Sequence, residues 1–425
     1  MTFVLYDTET TGSNPDWDQI LQFAAIQTDD DLNPLDRFEI RCRLQPHIVP
    51  APGAMVVTGV TVAQLTDPSV PSHYDMVRAI RAKLLSWSPA VFVGYNSLEF
   101  DEFLLRQALY QTLHPIYLTV TGGNSRADVM QMALAVEQFY PSLLKFPQRE
   151  DGNPSFKLDQ LAPANGFAHV HAHDALADVE ATIFIAKLIR EKARDFWNHL
   201  IAMGSKAGAT AYALAEPMRL FSEFRYNRPK HWIVSPLTAD PDHSGRIIAC
   251  DLAIDPAPLA ALSDDELERR VASHPKPIRP IKADACPLIQ PWQLASGRVD
   301  AYDLGEPTLR ERAALVRGDH ALRHRLLKAY VATKEEYQPS PYVEEQIYGG
   351  FPSSGDERLM GAFHGAAWTT RLELVKQLED RRLRQLASRL VYLEQPETFG
   401  KECRPEIDKI IAKRLLSSEM GWMPL

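Results

Sequence analysis

The alternation of apolar and polar residues divides the first half of the chain into short strands followed by helices. Apolar runs predict four strands, at residues 3–6, 22–28, 38–43 and 90–93. The turn-rich segment 29–34 separates two of them, so the first three strands should form an antiparallel meander. Helical spacing predicts three helices, at residues 101–110, 128–139 and 174–192. This order of elements favours a mixed α/β sheet.

The second half of the chain has a different pattern. Ten prolines from Pro217 to Pro287 break it into short pieces, with strand candidates at 232–234 and 246–252, which indicates a small β-rich domain. After Pro307 helical spacing dominates, at residues 308–316, 321–332 and 370–393. We therefore predict three domains, with bounds 1–192, 193–345 and 346–425.

Composition and charge narrow the class of protein. A chain of 425 residues, 24% charged and 45% hydrophobic, is typical of a globular protein of two or three domains. The four cysteines show no Cys-x-x-Cys spacing, so we expect neither a disulfide framework nor a structural zinc site. With no basic leader and no apolar run of about 18 residues, we expect a cytoplasmic protein without a membrane span. The net charge of −9 would by itself argue against a nucleic-acid partner.

Carboxylates recur where predicted strands end and helices begin. Asp7 and Glu9 are two residues apart, which places both on one face of the first strand. Asp101 stands at the start of a helix, and Asp178 lies in the early turns of a later one, five residues after His173. Taken singly, such acids are ordinary first-turn residues that the helix dipole favours, and the histidine is an ordinary loop residue.

Taken together, these residues match the needs of phosphodiester cleavage by two metal ions. Four carboxylates can hold two Mg²⁺ or Mn²⁺ ions about 3.5–4 Å apart, which activate water and stabilise the leaving oxygen. A histidine near that water can act as general base, because its ordinary pKa is about 6.5. His173 is the candidate, and His169 and His171 compete with it; only the spacing to Asp178 selects among the three.

With these four acids and the histidine, the sequence resembles the DEDDh (DnaQ-like) exonucleases of the RNase H-like fold. Within them it most resembles the bacterial exodeoxyribonuclease I family. In the nuclease region the likeness rests on 22–26, 52–54, 58–61, 94–96, 124–126, 154–158, 164–166 and 172–175. Beyond it, 234–237, 286–288 and 346–351 extend the likeness over nearly the whole chain. The resemblance implies an α/β RNase H-like exonuclease domain, an SH3-like β-rich middle domain and a helical C-terminal domain.

The resemblance also implies an activity, that of a Mg²⁺-dependent, processive 3′-to-5′ exonuclease on single-stranded DNA. Such an enzyme acts in DNA repair and recombination, and we expect it to be a monomer in the bacterial cytoplasm. An RNA 3′ exonuclease or proofreading nuclease, and a non-catalytic single-strand-binding scaffold, remain alternatives. The C-terminal region is shorter than the family's, which bears on the degree of processivity.

By position against the family, several residues are candidate substrate contacts beside Glu9: Arg106, Tyr117, Asn124, Arg126, Phe156 and Lys157. Lys157 stands where the family has an arginine, so it keeps the charge but loses the planar fork for phosphate. The family also binds the acidic tail of single-stranded-DNA-binding protein. Arg219 and Arg323, which lie beside apolar residues, are candidates to receive a carboxylate of that tail.

Overall fold

The computed structural model describes residues 1–168, 174–226, 228–334, 338–417 and 421–425. These residues form two compact units. The first contains Met1–Asn124, Gly166–Phe184 and Gln338–Leu425, and the second contains Ser125–Asn165 and Ile185–Tyr337. The first unit thus joins the N-terminal α/β region with the C-terminal helices. The predicted domain bounds at 192/193 and 345/346 stay a prediction.

The described residues contain strands β1 (Phe3–Thr10), β2 (Ile20–Thr28), β3 (Pro34–Arg41), β4 (Val91–Gly94), β5 (Ser125–Asp128), β6 (Arg219–Arg225), β7 (Arg228–Ala239), β8 (Arg246–Asp251), β9 (Ile278–Lys282) and β10 (Leu288–Pro291). Short 3-10 helices cover Leu118–Val120, Trp292–Ala295, Asp300–Leu304, Val343–Gln346 and Pro396–Thr398.

The α-helices of the N-terminal region are α1 (Pro52–Thr58), α2 (Val62–Thr66), α3 (His73–Ser86), α4 (Asp101–Gln111), α5 (Val129–Phe139), α6 (Leu158–Ala164) and α7 (Ala175–Lys192). The middle region has α8 (Arg194–Ala202), α9 (Lys206–Ala215), α10 (Ala257–Ala261), α11 (Asp264–Ala272), α12 (Glu306–Gly318) and α13 (His320–Ala332). The C-terminal region has α14 (Ser354–Gly365), α15 (Trp368–Gln377), α16 (Arg381–Glu394) and α17 (Arg404–Leu416).

The sheet of the first unit confirms the predicted meander. Its strands lie in the order β3-β2-β1-β4. Strand β1 pairs antiparallel with β2, which places Asp7 opposite Ala24 and Glu9 opposite Gln22, and β2 pairs antiparallel with β3. Strand β4 runs parallel to β1. Because β1 has a neighbour on each side, the position of its carboxylates is fixed from both directions.

A continuous apolar core supports this sheet. Val4 and Tyr6 of β1, Phe23 of β2 and Phe92 of β4 pack with buried residues of α3 and α4. Fully burying a side chain of this size contributes about 1.5–3 kcal/mol. The strand that carries the candidate site is therefore among the most buried elements of the unit.

The helix predicted over 370–393 is wrong, because two helices occupy this stretch. Helix α15 ends at Gln377 and α16 begins at Arg381. The side chain of Asp380 caps α16 by accepting from the Arg382 amide, and the buried Asp356 carboxylate accepts from the amides of Glu379 and Asp380. A carboxylate distant in sequence thus satisfies the amides that the break leaves without helical partners.

The C-terminal helices share a second apolar core with the α/β region of the same unit. Tyr74 of α3 and Tyr110 of α4 pack with Phe363 of α14 and Leu386 of α16. In the second unit, five strands form a sheet in the order β10-β6-β7-β8-β9, backed by three apolar clusters. The α/β, β-rich and helical regions expected from the sequence are all present. Among the described helices, none is long and apolar enough to cross a membrane.

A buried ion triad links the C-terminal helices to the 3-10 helix Val343–Gln346. The Glu344 carboxylate is 5% exposed and accepts from Arg389 and, at 2.7 Å, from Arg414. Burial opposes ionisation of Glu344, but the two guanidinium groups outweigh it and hold the pKa of Glu344 below its usual value.

We expect Glu344→Leu to lower the free energy of unfolding by about 3–5 kcal/mol, because two guanidinium groups lose their counter-charge. Denaturant titration at pH 7 measures this. Since the folded-state pKa of Glu344 is lowered, the stabilisation is present above pH ~4.5 and is lost as the pH falls through the folded-state pKa. As a control, Glu406→Ala removes an exposed pair with Lys409 and should change stability by less than about 1 kcal/mol. Equal effects of the two substitutions would contradict the prediction.

Candidate active site

Asp7 and Glu9 lie near the carboxyl end of β1, where an irregularity in the pairing with β2 falls between Glu9 and Thr10. Glu9 is 9% exposed. Their spacing of two places both side chains on the same face of the strand, as the sequence predicts. The strand therefore presents two carboxylates side by side, of which Glu9 is buried and Asp7 is half-buried.

Asp101 reaches the same region from a different element. It is the first residue of α4, follows the loop after β4, and is buried. The Thr8 hydroxyl donates to Asp101 at 2.5 Å, which ties the start of α4 to β1 between the two strand carboxylates. This bond fixes the Asp101 side chain without neutralising it.

Asp178 comes from the first turn of α7. One carboxylate oxygen from each of Asp7, Glu9 and Asp178 lies within 4.8 Å of the other two. Asp101 is outside this closest set, but its charge acts on both Asp7 and Glu9. The structure thus brings the four predicted acids together. His173 and its competitors His169 and His171 lie outside the described residues.

The electrostatics of the cluster are unfavourable to four free carboxylates. Burial first, then the charges of Asp101, Asp178 and Glu9, hold the pKa of Asp7 well above its ordinary value. Burial and then Asp178 and Asp101 raise the pKa of Glu9 to about 8. Such a set is stabilised by a cation, and oxygen donors from several carboxylates suit a hard divalent ion such as Mg²⁺ or Mn²⁺. The residues present therefore fit a divalent-metal site.

Sequence reasoning missed a basic residue at the edge of this cluster. Arg41, at the end of β3, lies opposite Gln22 in the sheet, and its guanidinium donates to Asp174 at 2.9 Å. Its charge partly offsets the rise in the pKa of Glu9. Only the strand register could have indicated that Arg41 lies near Glu9, because both residues pair with Gln22.

Sequence reasoning also missed Glu102, which directly follows Asp101. Its buried carboxylate accepts from the Tyr6 hydroxyl at 3.1 Å and from the Thr119 hydroxyl at 2.6 Å. It also pairs with the guanidinium of Arg106 at 2.8 Å. Arg106 in turn lies 5.1 Å from the centroid of the Tyr117 ring. Two predicted substrate contacts, Arg106 and Tyr117, are therefore neighbours.

The other predicted substrate contacts occupy different surroundings. Asn124 is buried and holds loops of the first unit, accepting from the Ala90 amide and donating to Ser88 and Leu118. The remaining three lie in the second unit, where Arg126 bonds the carbonyl of Asp284, Phe156 packs on Phe146 and Lys157 precedes α6.

The two predicted partner contacts also lie in the second unit. Arg219 is 7% exposed, donates twice to the Tyr212 carbonyl and lies 4.0 Å from the centroid of the Tyr212 ring. Arg323 bonds the His320 ring at 2.6 Å on the surface of α13. Of the two, Arg323 is the more open to a partner.

Comparison with known proteins finds relatives that match most of the chain. The family model described as Exonuclease matches residues 4–186, and that of the Exonuclease I SH3-like domain matches residues 220–332. Exodeoxyribonuclease I of Escherichia coli K12 is 30% identical over 378 residues, which cover 84% of this chain and 78% of that protein. Exodeoxyribonuclease I of Haemophilus influenzae is 28% identical over 408 residues, covering 91% and 84%.

Solved structures of similar fold match nearly the whole chain. Escherichia coli Exonuclease I in complex with a dA16 oligonucleotide matches with a TM-score of 0.83 and 25% identity, covering 98% of this chain and 92% of that one. A moderately thermophilic Exonuclease I from Methylocaldum szegediense matches with a TM-score of 0.82 and 26% identity, covering 100% and 92%.

We expect Glu9→Gln to stabilise the metal-free protein at pH 8 and to leave its stability nearly unchanged at pH 4.5. A carboxyl whose folded-state pKa is raised from 4.5 to about 8 gives stability that is present below pH ~4.5 and lost as the pH rises through 8. The gain at pH 8 should be about 2–4 kcal/mol. Thermal unfolding in EDTA at the two pH values measures it, and an equal shift at both would contradict the electrostatic account.

Proposed function

This chain belongs to the exodeoxyribonuclease I family, and on that premise we propose that it is a processive 3′-to-5′ exonuclease that releases 5′-mononucleotides from single-stranded DNA. The observation that carries the proposal is the convergence of Asp7, Glu9 and Asp178 within 4.8 Å, next to buried Asp101. The complexes of Escherichia coli Exonuclease I with dA16 and dT13 support the substrate class.

In this proposal Asp7, Glu9, Asp101 and Asp178 hold two Mg²⁺ ions, which Mn²⁺ can replace. When bound, the ions neutralise charge that develops on the phosphate and lower the pKa of attacking water. The chain itself fixes the positions of the four carboxylates. Strand β1 holds two of the carboxylates rigidly, Thr8 orients Asp101, and the first turn of α7 brings in Asp178. This preorganisation avoids rearrangement during the reaction.

We assign proton removal from the attacking water to His173, because it precedes Asp178 by five residues and α7 anchors Asp178. Arg106 and Tyr117 are proposed to contact the DNA close to the site. Asn124, Arg126, Phe156 and Lys157 remain proposed substrate contacts on the family's pattern.

The setting of the enzyme is also a proposal. We propose a cytoplasmic bacterial monomer that acts in DNA repair and recombination. Arg219 and Arg323 are proposed to receive the acidic tail of single-stranded-DNA-binding protein, and the half-buried Arg323 is more accessible to such a tail than the buried Arg219.

Asp7→Ala should lower Mg²⁺-dependent release of mononucleotides by at least about 10³-fold, because losing several kcal/mol of charge stabilisation costs tenfold per 1.4 kcal/mol. Binding of the DNA in EDTA should remain measurable. Glu357→Ala, an exposed acid in the first turn of α14, is the matched control and should keep full activity. Full activity of Asp7→Ala would overturn the site. Preferential degradation of a matched RNA oligomer would favour an RNA exonuclease, and binding without cleavage would favour a scaffold.

His173→Ala should lower the turnover number by about 10²–10⁴-fold, the range for loss of a general base. His171→Ala serves as the control and should have little effect. Single-turnover cleavage of a labelled oligonucleotide at saturating enzyme measures the chemical step. If His171→Ala causes the loss instead, the base is the other histidine.

A further inference from the structure

A cavity of about 480 Å³ lies among the C-terminal helices of the first unit. None of the four acids of the carboxylate cluster, Asp7, Glu9, Asp101 and Asp178, lines it. Cavities that bind small ligands have volumes of about 300–1,000 Å³ and are lined mainly by apolar and aromatic side chains, with a few polar groups. The volume of this cavity therefore suits a small molecule, at a place separate from the candidate active site.

Helix α17 supplies apolar side chains to this cavity. The helix has no buried residue, yet Ile407, Ile410 and Ile411 line the cavity, and Ile410 is 69% exposed. Tyr392 of α16 and Phe399 also line it, with ring centroids 5.4 Å apart. Since the described residues leave the three isoleucines at least partly uncovered, an apolar ligand could remove their surface from water.

Three further aromatic rings and a cation line the same cavity. The Trp17 and Trp422 ring centroids are 4.8 Å apart, and the Tyr342 centroid lies 5.7 Å from Trp17 and 5.6 Å from Trp422. The Arg414 guanidinium lies 5.0 Å from the Trp17 centroid and 5.2 Å from that of Trp422. The rings thus hold a positive charge at the wall of a largely apolar cavity.

The charges at the cavity wall do not balance. Within the described part of the chain, three cations and one carboxylate line the cavity: Arg389, Lys413, Arg414 and Glu344. Glu345, which accepts from the Trp17 indole at 3.2 Å, does not line it. The wall is therefore positive in a protein whose net charge is −9, and a negatively charged ligand would complement it.

The two arginines of the wall keep hydrogen-bonding capacity. Each donates to Glu344 through its Nη1 atom. Among the described residues, the Nη2 atom of Arg389 and the Nε atom of Arg414 are buried without a partner. Both charges also act on buried His47, whose pKa is held well below its ordinary value by burial first and then by these two arginines. One carboxylate thus leaves positive charge at this wall uncompensated.

We propose that this cavity binds a small amphipathic anion, a molecule with an apolar body and one carboxylate or sulfonate group. The apolar body lies against the isoleucines of α17 and the ring of Tyr392, and the anionic group lies towards Arg414 and Lys413. This binding site does not depend on the proposed exonuclease activity, because it shares no residue with the carboxylate cluster.

Two fluorescent probes with the same apolar body test the site. The first, 1-anilinonaphthalene-8-sulfonate, carries one negative charge, and the second, N-phenyl-1-naphthylamine, carries none. The anionic probe should bind the native protein with a stoichiometry of one per chain and become more fluorescent. Lys413→Glu should weaken binding of the anionic probe about 3- to 10-fold and change the affinity for the neutral probe less than about twofold, because only the sulfonate meets the changed charge.

Two more variants locate the site. Ile411→Trp places a larger side chain in the cavity and should abolish binding of both probes. Lys376→Glu makes the same charge change as Lys413→Glu at an exposed position of α15 outside the cavity, and should leave both affinities unchanged. If Ile411→Trp does not fold, as judged by circular dichroism, the comparison of the two lysine variants decides.

Three results would overturn the proposal. They are the absence of saturable binding of the anionic probe, equal effects of Lys413→Glu and Lys376→Glu, and full binding by a folded Ile411→Trp variant, which would place the probe elsewhere on the protein. Each of them leaves the proposed exonuclease activity untouched, since that activity is measured separately by Mg²⁺-dependent release of nucleotides.

Discussion

Repulsion among closely spaced carboxylates is the constraint on which the rest of this structure depends. Burial and mutual charge raise the pKa of Asp7 and Glu9, so the fold must supply the free energy that holds them together until a cation is present. It does so with rigid elements. Strand β1 is paired on both sides, and Asp101 and Asp178 stand in the first turns of α4 and α7, where the backbone dipole favours negative charge.

The same elements connect the cluster with its surroundings. Helix α4 carries Asp101 into the cluster and, through Glu102, also holds Arg106 and Tyr6 in place. The C-terminal helices pack on α3 and α4 in one apolar core, so α14 and α16 have a fixed position relative to α4. The carboxylate cluster, Arg106 and Tyr117 are therefore all held by one packed unit.

Local patterns in the sequence were enough to predict strands β1 to β4 and to place Asp7 and Glu9 on a strand and Asp101 and Asp178 near helix starts, because strand periodicity and helix starts depend on neighbours in the chain. Strands β5, β6, β9 and β10 were not predicted. The break before α16 could not be predicted in this way, since Asp356 satisfies its amides from 23 and 24 residues away. Glu102 was missed for the same reason, because the Tyr6 and Thr119 hydroxyls that donate to it are distant in sequence. The net charge of −9 argued against a nucleic-acid partner only because a sum over the whole chain does not show where the charges lie. The first 190 residues contain 13 Lys and Arg against 22 Asp and Glu, and part of that acidity is the carboxylate cluster.

The central claim is that these carboxylates perform metal-dependent removal of nucleotides from a 3′ end. A time course on single-stranded DNA labelled at its 5′ end, with and without Mg²⁺ and with unlabelled trap DNA, tests it most directly. The account predicts that the labelled strand becomes progressively shorter in Mg²⁺. This shortening should continue after trap DNA is added and should not occur in EDTA. Immediate release of the label as a mononucleotide, or cleavage that continues in EDTA, would contradict it.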